Sequence, residues 1–204
     1  MGQRISYLKN NFDKGLKDLL FENYSNFRTW YLDYDKSSME EYNEPFGNEV
    51  LKDYFKQYRD FEADFENLDK NFIDELTSEF IGTYYDLTSQ DNNILEFFGP
   101  MYNKWRYDES TTLVSKTKDS EFIELWTYLI KGRSLKDRLY FESLTNEYKI
   151  GFLDRQEYLQ LKSKIEFHFG DTETISPKNS GFVYVLIALN ELTEKNKEII
   201  TGIE

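Results

Sequence analysis

One histidine, no cysteine and 38 Asp/Glu residues define the chemistry open to this chain of 204 residues. Without cysteine there is no thiol nucleophile, no zinc–thiolate site and no iron–sulfur cluster. His168, in Ile165-Glu166-Phe167-His168-Phe169-Gly170, stands alone and cannot build a multi-histidine metal centre, though it could serve as a lone general base. Its place near the end of a helical pattern gives it a simpler role, as an imidazolium favoured by the helix dipole. Asp33-Tyr34-Asp35 has the form of a D-x-D element, but nothing beside it completes a metal shell, and solvated turn acids are the simpler reading. Asp74 and Glu75 lie off the apolar face of a helical pattern, as surface acids do. Glu191 and Glu194 flank the last apolar segment and could reach a cleft, with no basic partner beside them in sequence. No Gly-rich phosphate loop and no G-x-S-x-G elbow occurs. Arg133 and Arg138, with Lys131 and Lys136, form the one basic cluster. It could hold an anion at a helix start, but pairing with the protein's own acids is the more ordinary role. These residues give no catalytic motif, and no cofactor or metal is expected.

The strongest pattern is a run of alternating aromatics and acids from Val50 to Leu68. Leu51, Tyr54, Tyr58, Phe61, Phe65, Leu68 and Phe72 follow at steps of three and four, the spacing of one helix face. At roughly 100° per residue, Asp53, Asp60 and Asp64 fall on one flank of that stripe and Glu62, Glu66 and Asp69 on the other. Lys52, Lys56, Arg59 and Lys70 lie behind it. One reading is a core helix with solvated flanks, and the spacing leans this way. The other is an interface in which Tyr58, Phe61 and Phe65 anchor a basic protein partner while the flanking acids steer it. In that second reading the chain is similar in physical type to bacterial immunity proteins, which neutralise basic nuclease toxins, or to inhibitors that imitate DNA. No motif identifies a family. Two further readings stay open: an enzyme using carboxylates in a helical cleft, and a helical structural or oligomerisation subunit.

Charge is uneven. Residues 1–100 carry ten Lys/Arg against 21 Asp/Glu, and residues 101–204 carry 15 against 17, which gives −11 and −2 of the total −13. Such a balance argues against direct nucleic-acid binding and against an anionic membrane surface. The longest apolar run, Phe182–Leu189, is too short to span a bilayer, and Met1–Asn11 has no apolar signal core. A cytoplasmic, non-enzymatic interaction protein is the expectation. The oligomeric state is not readable from the sequence.

The elements that must position these groups read as helices. The patterns predict a mainly α fold, one domain over 1–204, built as a bundle of about seven to nine helices with little or no β. A first helix is expected over Ile5–Tyr34, then a loop with Asn48 as the N-cap of the aromatic–acidic helix. That helix is expected to kink near Asn67–Asn71 and run on to Leu87. Asp91-Asn92-Asn93 caps a segment to Trp105 that Gly99-Pro100 bends. The Ser/Thr-rich stretch 106–118 is expected as a subdomain junction, or as a short strand near 112–115. Phe122–Ile130 follows as a helix ended by Gly132, and Ser134 with Asp137 opens a segment carrying Leu135, Leu139 and Leu144. Asp154 with Glu157 makes a capping-box start before Tyr158–Phe169, with Gly170 as the stop. Phe182–Leu189 is read as a buried helix in preference to a strand, continuing amphipathically to Ile199.

Overall fold

The computed structural model describes residues 4–12, 14–85, 95–103, 105–136 and 148–203. The chain is mainly α. Among the described residues there are eight α-helices: α1 Leu16–Tyr42, α2 Glu49–Gln57, α3 Phe61–Asp64, α4 Lys70–Glu79, α5 Trp105–Thr117, α6 Ser120–Lys131, α7 Arg155–Phe169 and α8 Ser180–Glu191. The β part is small but central. Strands β1 Arg4–Asn10, β2 Leu95–Asn103, β3 Lys149–Asp154 and β4 Glu198–Ile203 form one antiparallel sheet in the order β2-β1-β4-β3. The helices pack on its two faces rather than directly against one another as a single bundle.

Side-chain alternation along the strands separates two cores. Ile5 and Tyr7 of β1, Leu153 of β3, and Ile199 and Ile203 of β4 face α5–α8, where they meet Tyr107, Phe122, Trp126, Leu161, Ile165 and Phe182. Leu8, Ile150 and Ile200 face α1–α4 and meet Leu19, Phe27, Phe55, Phe65, Phe72 and Leu76. Every residue of β4 is buried, as expected of a strand covered on both sides. Gly151 permits this closeness on β3: a Cβ there would lie 2.5 Å from the Tyr128 carbonyl oxygen of α6.

Several expected helices prove to be other structures. Residues 4–10 form β1, and α1 begins only after Gly15. Ile5 and Leu8 stand three apart, as on a helix, but lie on opposite faces of the strand. Residues 95–103 form β2 rather than a bent helix, and α8 ends at Glu191, with 198–203 returning as β4. Residues 112–115 lie inside α5 and are not a strand. The hydroxyls that suggest a strand there bond backward within the helix: Thr111 to the Tyr107 carbonyl at 2.7 Å, Thr112 to Asp108 at 3.0 Å and Ser115 to Thr111 at 3.0 Å. The suggested cap at Asp91–Asn93 and most of the segment opened by Ser134, including Asp137, Arg138, Leu139 and Leu144, lie outside the described residues.

The aromatic–acidic run is three short elements, not one helix. Tyr58 is extended (φ −104°, ψ 117°) and ends α2. Tyr24 of α1 donates its hydroxyl to the Tyr58 carbonyl at 2.9 Å, which holds the break in place. Asp60 then caps α3 by accepting the Ala63 N–H, a 3₁₀ turn covers Phe65–Asn67, and Asp69 caps α4 through the Asn71 N–H. The expected kink near 67–71 is this second break. Because the chain turns twice, the aromatic stripe wraps around α1. Phe61 stacks on Tyr24 at 4.9 Å, Phe65 meets Phe21 edge-on at 5.3 Å, and Tyr54 stacks on Phe72 at 3.8 Å.

Other local readings hold. Asn48 caps α2 by accepting the Val50 N–H at 2.8 Å. Asp154 and Glu157 form a complete capping box on α7, while Gly132 (φ 98°) and Gly170 (φ 97°) stop α6 and α7. The apolar run 182–189 is helical.

Candidate functional site

The sandwich turns a sequence asymmetry into a spatial one. Residues 14–85, which supply the helices on one face, carry 17 Asp/Glu and eight Lys/Arg, a net of −9. The opposite layer, residues 105–136 and 155–191, carries ten of each and is neutral. Negative charge therefore belongs to one helical layer.

Within that layer the expected interface residues divide. Phe61 and Phe65 are buried at 1% and 2% exposure, and Tyr58 is half-buried against Tyr54 and Phe72, so the stripe faces the protein's own core. The acids stay outside. Asp53, Asp60, Glu62, Glu66 and Asp69 are exposed and Asp64 is half-buried. Asp53 pairs with Lys56 at 3.1 Å, Asp60 and Asp69 also act as caps, and Glu66 lies 3.9 Å from Lys17. Lys52, expected behind the stripe, is instead buried between Asp35 at 2.9 Å and Glu49 at 2.5 Å.

An acid-rimmed aromatic surface does occur, one element earlier. Burial along α1 ends at Tyr31, and Leu32–Tyr42, about three turns, carry no buried side chain. Tyr34, Met39 and Tyr42 are 48%, 44% and 66% exposed, and Val50 of α2 is 42% exposed. The Tyr34 ring leans on Trp30 at 5.6 Å and Phe46 at 4.5 Å, which fixes its outward pose. Around these residues Asp33, Glu40, Glu41, Glu44 and Glu49 are exposed. The following loop is tied back to the helix. Phe46 donates its N–H to Asp35 at 2.9 Å, Ser38 its hydroxyl to the Glu44 carbonyl at 2.9 Å, and Asn48 its N–H to the Tyr31 hydroxyl at 2.7 Å. Gly47 (φ 67°) permits the last contact, since a Cβ there would collide with the Tyr31 ring. Rigid aromatic side chains within a charged border are what a protein-binding patch needs.

The other carboxylates singled out by sequence do not converge. Asp33, Glu191 and Glu194 are exposed, and Asp35 holds Lys52. Asp74 and Glu75 are buried, contrary to expectation. Asp74 accepts Lys70 at 2.7 Å within α4, and Glu75 accepts the Asn48 amide at 2.9 Å, which ties α4 to the start of α2. His168 stacks on Phe122 and lies 3.4 Å from Asp119, whose carboxyl is held down to about 2, chiefly by the hydrogen bond from Lys164. Among the described residues no group of three or more His, Asp and Glu is placed to hold a metal, and no helix is long and apolar enough to cross a membrane.

Glu198 was missed by spacing arguments because a single acid at the head of an apolar strand has no periodic signature. It is 7% exposed, and both its hydrogen bonds fall on Oε2: one from the Leu16 N–H at 2.7 Å and one from Asn10 Nδ2 at 2.9 Å. Burial pushes its carboxyl up to about 7 despite those two bonds. The carboxylate can enter because residue 15 is glycine: a Cβ there would lie 2.8 Å from Oε1. A cavity of about 250 Å³ opens beside it, lined also by Lys17, Arg133, Ser134, Leu135 and Phe152. Arg133, from the expected basic cluster, is buried between the Tyr128 and Phe152 rings and pairs with Glu157 of α7 at 2.6 Å, not with the acidic layer. Lys136 does reach that layer, donating to the Glu66 and Leu68 carbonyls.

Compared with protein-family models, curated proteins and solved structures, the chain matches none.

Proposed function

We propose that this is a non-enzymatic binding protein whose acidic helical layer captures a basic protein partner, in the manner of an immunity protein or an inhibitor. The docking surface is the distal part of α1 with the start of α2. Tyr34, Met39, Tyr42 and Val50 supply contact area, and Asp33, Glu40, Glu41, Glu44 and Glu49 supply charge. The observation that carries the reading is the exposure of these large side chains on the one layer whose net charge is −9. Charged borders raise association rates and exclude wrong partners, while desolvated aromatics supply most of the affinity. Glu62, Glu66 and Asp69 extend the same field and steer the encounter without aromatic anchors of their own. A nuclease toxin, basic because it grips nucleic acid, is the class of partner that fits.

The test is a capture from the native host with the full chain as bait, repeated at rising salt. A basic protein retained at low salt, released at high salt and lost with the variant D33K/E40K/E41K/E44K supports the reading. A neutral or acidic partner held independently of salt overturns it.

A further inference from the structure

The cavity beside Glu198 contains hydrogen-bonding groups that the fold leaves partly unused. Its walls come from four separate chain segments: the start of α1, the residues after α6, and strands β3 and β4. Three of the lining residues, Lys17, Arg133 and Ser134, carry donors. The Lys17 ammonium rests over the Phe65 ring at 3.9 Å, and its carboxylate contact, Glu66, is as distant as 3.9 Å. Arg133 lines the cavity with its Nη1 given to Glu157 at 2.6 Å and to the Phe152 carbonyl at 3.4 Å. Ser134 accepts the Lys136 N–H at 3.1 Å and keeps its own proton to donate. Glu198 is the acceptor among the lining residues, and both of its bonds are on Oε2. Leu135 and Phe152 supply apolar wall.

A purely structural cap for α1 explains the Oε2 contacts but not this arrangement. An exposed carboxylate would cap the helix as well, and buried charges are ordinarily paired in full. We propose that the cavity binds a small organic acid that carries a hydrogen-bond donor on the carbon beside its carboxylate. The ligand carboxylate lies between Lys17 and Arg133 with Ser134, its donor meets Oε1 of Glu198, and its apolar part lies on Leu135 and Phe152. Above about pH 7, where Glu198 is ionised, it disfavours multivalent anions, because they add like charge beside it. Lys17 and Arg133 disfavour cations for the corresponding reason. The site is independent of the proposed protein-binding surface. Lys17 and Tyr42 are on the same helix about 37 Å apart, so failure of either leaves the other standing.

Mandelate is a suitable probe, since it combines carboxylate, adjacent hydroxyl and ring in a volume the cavity accepts. Phenylacetate lacks the hydroxyl, benzyl alcohol lacks the carboxylate, and inorganic phosphate lacks the ring. Titration of the full chain followed by amide NMR is expected to show saturable binding of mandelate with shifts at Gly15, Lys17 and Ser134. Phenylacetate is expected to bind about tenfold more weakly, and benzyl alcohol and phosphate not at all. Lys17→Met, a change at a half-exposed position, is expected to weaken mandelate by about tenfold or more. Glu198→Gln is expected to remove the preference for mandelate over phenylacetate. If Glu198→Gln does not fold, the Lys17→Met comparison decides alone. No saturable binding up to about 20 mM, shifts centred elsewhere, equal affinity in Lys17→Met, or phosphate binding as well as mandelate would overturn the proposal.

Discussion

Replacing Glu198 with glutamine is expected to change how stability depends on pH, and by an amount that can be worked out in advance. Burial raises the Glu198 carboxyl from 4.5 to about 7 in the folded chain. The folded state therefore holds its proton more tightly than the unfolded state. The sign follows: this group's contribution is fully present below pH 4.5 and is lost as pH rises toward and through 7. Moving a carboxyl over that interval is worth roughly 3 kcal/mol, a scale appropriate to a side chain that solvent hardly reaches. Glutamine keeps the shape and the acceptor for Leu16 but has no proton to lose. Urea unfolding of wild type and Glu198→Gln at several pH values from 4 to 8 isolates the effect, because every other titrating group is common to both proteins. The stability of wild type relative to the variant is expected to fall by roughly 3 kcal/mol across that range. Two parallel curves would mean that the carboxylate is solvated or fully compensated, and the account of a buried, poised carboxyl would be wrong.

Two further substitutions separate core from surface. Phe65→Ala, at a ring packed against Phe21 and Phe61, is expected to lower unfolding free energy by about 3–5 kcal/mol, whereas the neighbouring Glu62→Lys is expected to change it by less than about 0.5 kcal/mol. Equal, small effects in chemical denaturation would place the aromatic stripe at the surface after all. Asp154→Ala removes the side-chain cap of α7 and is expected to cost about 1 kcal/mol, measured the same way. A neutral result would show that α7 is held by packing alone.

What the sequence made legible was local punctuation. The Asp154/Glu157 capping box, the stops at Gly132 and Gly170 and the Asn48 cap are short-range rules, and each holds. Strands were harder. The β1 and β4 segments are buried on both faces, so they show no alternation of polar and apolar residues, and Ile5 with Leu8 imitated a helix step. The Ser/Thr content of α5 counted against a helix, yet the hydroxyls of Thr111, Thr112, Ser115 and Thr117 each bond a carbonyl three or four residues back. The run from Val50 to Leu68 kept its three–four spacing because each short helix must still present aromatics to α1. Periodicity alone could not reveal that Tyr58 was extended. Glu75 and Glu198 were opaque for one shared reason: burial of a carboxylate depends on partners far away in sequence or on a neighbour's missing Cβ.

The acidic layer's role is tested most directly by photo-crosslinking in the native host. A photoreactive amino acid is placed at position 42 in place of Tyr42, and in a parallel strain at position 167 in place of Phe167, which is 82% exposed on the neutral layer. The expected result is an adduct from position 42 to a basic protein, absent from position 167 and abolished by D33K/E40K/E41K/E44K. Adducts arising only from position 167, an acidic partner, or no adduct from position 42 would contradict it.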